Sequence, residues 1–394
     1  MKPLPISQKM MIFLVLLTNV VPPLSIDEYT PSMPHMVGPL GTTISMMQLT
    51  VTLYMLTFEL SQVIGGVLSD RYGRRPTLLW SMPIFLVGSV VCLLAGNMTM
   101  LVMGRLLQGF GVGISALSGP ALIADCFEGE DVNKVSGYYS TVYSFIPISA
   151  PVIGGILQDL LGWRANFGFM LLLGIVVFAC FWRFLPETHQ PQAQHQINLK
   201  NIVHNYGAVL RNGRYLLAVL AMIFVWSLFV VFSVMAPFLI QNSLHYSSTV
   251  YGVLALLVGL GFFVGNALNT QLIKSHSPKQ VKMLGLSVMV IASLILLVLP
   301  AVGVFTLWSI MVPIFIVMIG GGLCFPHLYA DAVSAVTEYA GIAGALIGSL
   351  ILTGAVIITA IVTRLHVHSP VAMASVFLLL SVLAGVVVLV NRHQ

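Results

Sequence analysis

Gly66-Val67-Leu68-Ser69-Asp70-Arg71-Tyr72-Gly73-Arg74-Arg75 packs three arginines and one aspartate into its last six positions, between two long apolar runs. Only 7% of the 394 residues are charged, so this density marks a short turn at a membrane surface. Gly66 and Gly73 permit close approach and a sharp bend, and Pro76 suits the first turn of the following helix. Arginines beside a span also set its direction, because such loops stay on the cytoplasmic side.

Working outward from that turn, the chain is apolar almost throughout. Hydrophobic residues make up 58%, and a soluble domain carries about 25% charged residues, so an ordinary soluble fold is excluded. The net charge of +5 is scattered over short loops, which is a topology signal and excludes a nucleic-acid surface. Cys92, Cys126, Cys180 and Cys324 lie in or at the ends of apolar runs without metal-ligand spacing and read as small core residues.

Apolar segments fall at about 10–28, 45–68, 77–95, 99–123, 135–160, 164–186, 214–241, 250–272, 281–300, 305–330, 340–363 and 371–391. Each is long enough to cross about 30 Å of hydrocarbon as a helix. With the N-terminus placed inside, fourteen lysines and arginines fall on the cytoplasmic side, while Arg164 and Arg364 fall outside. The expectation is therefore a multi-pass protein with both termini in the cytoplasm. A polar, Gln-rich stretch at 187–212 straddles the midpoint, giving an N-terminal half 1–186, a cytoplasmic linker and a C-terminal half 213–394.

The second segment divides into faces. Leu49, Leu53, Leu56, Leu60, Val63 and Val67 form an apolar stripe, and Gln48, Thr52, Met55, Glu59, Gln62 and Gly66 a more polar one. The fourth carries a small and polar stripe, Gly104, Gln108, Gly111, Ser115 and Ser118. Gly261-x-x-x-Gly265 and Gly344-x-x-x-Gly348 are expected to allow close helix contacts.

The 66–75 stretch resembles the signature loop between helices 2 and 3 of the major facilitator superfamily. Asp27-Glu28-Tyr29-Thr30-Pro31-Ser32-Met33-Pro34 resembles the end of helix 1 in the bicyclomycin-resistance (Bcr/CflA) branch of drug:proton antiporters. Arg105-Leu106-Leu107-Gln108-Gly109-Phe110-Gly111 is similar to the superfamily's helix 4 motif, and Ala150-Pro151-Val152-Ile153-Gly154-Gly155 to the helix 5 motif of antiporters. Gly162-Trp163-Arg164 and Pro186-Glu187-Thr188 extend the likeness across the first half. Two positions depart from the pattern: Ala150 replaces the usual glycine, and Glu59 stands where relatives carry a small or apolar residue. The implied fold is an all-α membrane protein of twelve transmembrane helices in two six-helix halves.

Several residues are candidates for chemistry. Glu59 lies 11 residues before Asp70, about 16 Å above the turn; an acid at that depth is protonated, paired or wet. Proton coupling is assigned chiefly to Glu59, with Asp27 in support and Glu28, Arg105, Gln62 and Gln108 beside them. Asp27 and Glu28 come about 27 Å along the first span from Lys9, so they read either as solvated caps of a cavity mouth or as binding groups. Arg105 is a relay residue or a snorkelling side chain. Gly66, Asp70, Arg71, Gly73, Arg74, Arg75 and Asp125 form the expected cytoplasmic gate, and Pro151, Gly154 and Gly155 bend and thin helix 5. Tyr54, Tyr139, Tyr143, Phe145 and Trp226 are candidate cavity aromatics, suited to cationic or zwitterionic compounds. His366-x-His368 reads as surface histidines rather than metal ligands.

No nucleophile, base and oxyanion set can be assembled, and no phosphate-binding Gly-x-x-x-x-Gly-Lys-(Ser/Thr) occurs. The expectation is a monomeric, non-enzymatic transporter of a bacterial inner membrane. It needs no cofactor beyond the proton gradient and exports small amphipathic compounds. Import or export of a specific metabolite or siderophore is the rival reading, and a non-transporting receptor a more distant one.

Overall fold

A computed structural model describes residues 6–188, 206–364 and 369–391. His366, His368 and residues 189–205 of the linker lie outside the described residues. Among the described residues, twelve helical spans are long and apolar enough to cross a membrane.

The first span is broken, and its pieces reach further than the apolar run predicts. It runs from Gln8 to Met36 as α1 (Gln8–Leu17), α2 (Val21–Asp27), a 3-10 turn at Thr30–Ser32 and α3 (Met33–Met36). Pro22 and Pro23 open α2, while Pro31 and Pro34 open the next two pieces. Proline lacks the amide that continues a helix but suits its first turn, so the chain restarts three times instead of ending at residue 28. Asp27 and Glu28 thus lie within the span, not at its rim.

The remaining spans are mostly single helices: α4 (Ile44–Tyr72), α5 (Arg74–Leu93), α6 (Met98–Cys126), α7 (Glu130–Leu161) and α8 (Arg164–Phe184), then α9 (Gly213–Phe238), α10 (Ser248–Leu272), α11 (Pro278–Ala301), α12 (Leu307–Ser334), α13 (Ala340–Arg364) and α14 (Pro370–Asn391). A π turn at Leu239–Ser243 lengthens α9. Thr43, Asn97, Asn212, Ser277 and Thr306 cap α4, α6, α9, α11 and α12 with side-chain oxygens on backbone amides.

Two compact units result. One comprises Met1–Ala193 with Tyr246–Val253, the other Gln194–His245 with Leu254–Gln394. In the first unit α4 and α5 pack along α6, whose Gly104, Gln108, Gly111, Ser115 and Ser118 are all buried. The stripes of α4 separate as their spacing predicts. Leu56, Leu60, Val63 and Val67 are exposed, Val63 by 71%, while Gln48, Thr52 and Met55 are buried. In the second unit α11 packs along α12, and α9 contacts α12, α13 and α14.

Gly261 and Gly265 do bring α10 onto α12: a Cβ there would sit 2.8 Å from the Phe315 carbonyl and 2.2 Å from that of Ile319. The other glycine pair does not behave this way. A Cβ on Gly344 would meet only the Tyr329 hydroxyl at 3.3 Å, and Gly348 has open space. Spacing alone cannot say which glycine face meets a neighbour.

Candidate functional site

The centre of the first unit is a buried arginine. Arg105 on α6 is 1% exposed, which excludes snorkelling. Its guanidinium lies between the rings of Tyr29 and Tyr54, 4.2 and 4.1 Å from their centroids. Such a contact stabilises a desolvated cation by about 2 kcal/mol or more. Nη1 donates to the Ser25 carbonyl (3.1 Å) and to Gln108 Oε1 (2.9 Å). Ser25 lies in the last turn of α2, where carbonyls have no intrahelical partner. The break after α2 therefore creates the acceptor that Arg105 uses.

The surroundings are tied down in turn. Tyr54 Oη donates to Ser25 Oγ (2.5 Å) and Tyr29 Oη to Thr50 Oγ1 (2.7 Å), because each hydroxyl acceptor spends its own proton on a backbone carbonyl. Gln108 Nε2 donates to Ser89 Oγ at 2.9 Å. Three polar atoms in this enclosed region have no hydrogen-bond partner: Arg105 Nε, Arg105 Nη2 and Glu28 Oε1. Glu28 is 1% exposed and within electrostatic reach of Arg105. It is enclosed, unlike a solvated cap.

Glu59 stands apart from this cluster. It is half-buried on α4, accepts a hydrogen bond from Gln62 Nε2 (3.1 Å) one turn along, and is electrostatically coupled to Tyr143 of α7. Of the other candidate aromatics, Tyr54 belongs to the arginine sandwich and Tyr139 donates to the Ala116 carbonyl at 3.3 Å. Tyr143 and Phe145 are exposed on α7. Trp226 lies in the second unit, stacked on Phe229 (6.0 Å) and tilted against Phe325 (6.3 Å).

The signature loop forms a compact ionic knot. Gly73 turns at φ +101°, a conformation that favours glycine, and α5 starts at the next residue. Arg74 donates from Nη1 to Asp70 Oδ1 (2.6 Å) and Ser69 Oγ (2.9 Å), and from Nε to Asp125 Oδ2 (3.0 Å). Glu187 accepts from the Arg74 and Arg75 amides at 3.0 and 3.2 Å, and Arg75 Nη2 donates to the Trp182 carbonyl at 3.0 Å. Arg71 lies over Tyr72 instead, 5.3 Å from its centroid.

Sequence reasoning assigned no role in the knot to Glu187. The signal was a carboxylate directly after the sixth span, available to cap a helix whose first residues are basic. The two ion pairs should differ in weight. Asp70 is 56% exposed and Asp125 only 23%. Asp125→Ala is expected to cost about 1.5 kcal/mol, and Asp70→Ala at most about 0.5 kcal/mol after solvent screening. Urea or thermal unfolding of the purified variants checks the order; equal costs would remove Asp125 as the principal anchor.

On α7, Gly154 and Gly155 mark where backbones touch. A Cβ on Gly154 would lie 1.6 Å from the Glu28 carbonyl oxygen, and one on Gly155 2.4 Å from that of Ser248. Asp159, a residue the sequence did not single out, accepts from the Ser248 amide (3.2 Å) and the Thr249 amide (2.8 Å) at the start of α10.

These features sit on a chain whose residues 11–359 match the profile of the Major Facilitator Superfamily. The chain belongs to that family. It is a transporter and not an enzyme. An uncharacterized transporter of Rickettsia felis is 27% identical over 92% of this chain and 91% of its own length. Multidrug resistance protein D of Escherichia coli strain K12 is 27% identical over 82% of this chain and 80% of its own. Among solved structures, the crystal structure of a D-xylose-proton symporter superposes with a TM-score of 0.73 at 15% identity, covering 95% of this chain and 97% of that one. That superposition supports the fold.

Proposed function

We propose that this member of the superfamily is a proton-driven exporter of small amphipathic compounds, of the bicyclomycin-resistance type of drug:proton antiporter. It sits in a bacterial inner membrane with both termini in the cytoplasm. The observation that carries the reading is the enclosed pair of Glu28 and Arg105. Both groups are buried, and Glu28 Oε1, Arg105 Nε and Arg105 Nη2 have no hydrogen-bond partner among the described residues, so a shift of either group changes what the other faces. A carboxyl poised in this way can exchange a proton against a bound cation, which is the competition that antiport needs.

Glu59 supplies a second carboxyl on the polar stripe of α4, in a more open setting beside Tyr143. In this reading Glu59 relays protons and Glu28, the more deeply enclosed, holds them, whereas the sequence assigns coupling chiefly to Glu59 with Asp27 in support. Likeness to a multidrug resistance protein favours export of drug-like compounds.

Flux into inverted membrane vesicles tests the reading. With an acid-inside gradient, vesicles containing the protein are expected to accumulate the cationic dye ethidium, and to lose it when a protonophore collapses the gradient. Accumulation that ignores the protonophore would sink proton drive. Gradient-dependent release instead of accumulation would favour the importer.

A further inference from the structure

We propose that the second unit binds an uncharged, planar aromatic group that carries a hydrogen-bond acceptor, such as an aryl ketone, with Trp226 as both its stacking surface and its donor. This site rests on the exporter reading above and names the class of compound that the exporter takes. Binding is measured without a gradient, so a failure here leaves proton drive and the direction of transport standing.

Four rings from three helices form one continuous aromatic wall. Trp226 and Phe229 of α9 are stacked with centroids 6.0 Å apart, Trp226 is tilted against Phe325 of α12 at 6.3 Å, and Phe325 meets Phe262 of α10 edge-on at 5.8 Å. All four are half-buried, so the wall is not closed over. The close approach of Gly261 and Gly265 to α12 holds the backbones beneath it. Trp226 lies 13 residues after Gly213, Phe262 10 before Leu272 and Phe325 9 before Ser334. Those offsets put the rings about 14–20 Å from the helix ends, near the middle of a span of about 30 Å.

Two observations choose a ligand over lipid tails as what the wall meets. On α10, Asn266 and Asn269 follow Phe262 by one and two turns on the same face, while Leu260, Val264 and Leu268 are exposed on the other. A face bearing two amides is costly to turn towards hydrocarbon, so Phe262 belongs to the side away from lipid. The Trp226 indole N–H has no acceptor among the described residues, although an enclosed indole normally finds one.

The surroundings settle the charge of the ligand. Beyond Arg214, α9 holds no Asp, Glu, Lys or Arg, and neither does α10. On α12, Asp331 lies six residues past Phe325 and is ion-paired with Lys282, and His327 Nε2 is bonded to Asn269 Oδ1 at 2.7 Å. An ammonium would gain from the rings, but it is a donor only and leaves the indole N–H unsatisfied. An uncharged aromatic group with an acceptor satisfies both the ring faces and the donor.

The test is photolabelling of the full-length protein in neutral detergent with benzophenone, an uncharged aryl ketone that inserts into nearby C–H bonds on irradiation. Peptide mass spectrometry maps the labelled sites, and label is expected on α9 and α12 around Trp226 and Phe325. Fluorenone, a planar ketone, is expected to compete about fivefold better than fluorene, which has the same rings and no acceptor. Trp226→Phe keeps a ring but removes the N–H; it is expected to abolish that advantage while fluorene competes as before. Phe325→Leu is expected to weaken both competitors about fivefold. Label confined to the lipid-facing Phe263 and Val264 would overturn the proposal. Equal competition by fluorenone and fluorene in wild type, or an advantage that survives in Trp226→Phe, would overturn it as well.

Discussion

Glu28→Gln is expected to bring gradient-driven transport down by roughly a hundredfold, the effect of about 2.7 kcal/mol, without unfolding the protein. Glutamine keeps the shape of the protonated acid but can neither take up nor release a proton. Glu28 is enclosed and electrostatically coupled to Arg105; its neutral mimic freezes one side of that balance. The readout is proton release when ethidium is added to purified protein in weak buffer, alongside flux in vesicles. Wild type should release protons and Glu28→Gln should not, while both still bind the dye. Glu59→Gln is expected to slow flux about tenfold, about 1.4 kcal/mol, and to retain some proton release, because a relay can be bypassed by water. If Glu28→Gln releases protons as wild type does and Glu59→Gln does not, the roles are reversed and Glu59 is the holding site.

A sequence conveys such a site only in part. The twelve spans were legible because each is a long apolar run, and the two faces of α4 because 3.6-residue spacing sorts Val63 from Gln48 directly. The Arg74 knot was legible in part: charges crowded beside a span must be paired or hydrated, and Asp70 and Asp125 were the available carboxylates. Burial within a broken helix was not legible. Asp27 and Glu28 end an apolar run, and an acid there looks solvated. Only the continuation through three proline-started pieces to Met36 carries them inside.

Partners far apart in the chain were equally hidden. Lys282 and Asp331 are separated by 49 positions, and Asp159 meets Thr249 across 90. Neither separation has a period to read. Composition predicts that a membrane-embedded charge has a partner, but only packing identifies it.

The packing that encloses Glu28 can itself be challenged, and here the second large effect is expected. Gly154→Ala should destabilise the protein by about 3 kcal/mol, at the upper end of the range for overpacking, and Gly154→Val by more. The added Cβ would lie 1.6 Å from the Glu28 carbonyl oxygen and 2.7 Å from its carbon. Those are backbone atoms, so no rotamer change relieves the clash; α7 must move away from the first span. Gly137 on the same helix is the control, because a Cβ there meets nothing within 4 Å. Gly137→Ala is expected to be neutral or to stabilise by about 0.5–1 kcal/mol, since alanine has the higher helix propensity. Thermal unfolding in detergent compares the two. The displacement should also reach the chemistry: folded Gly154→Ala is expected to show reduced proton release on dye binding, because the backbone that is pushed belongs to Glu28 itself. A midpoint for Gly154→Ala that matches Gly137→Ala would mean that α7 does not approach Glu28 this closely, and the enclosure on which the coupling proposal rests would go with it.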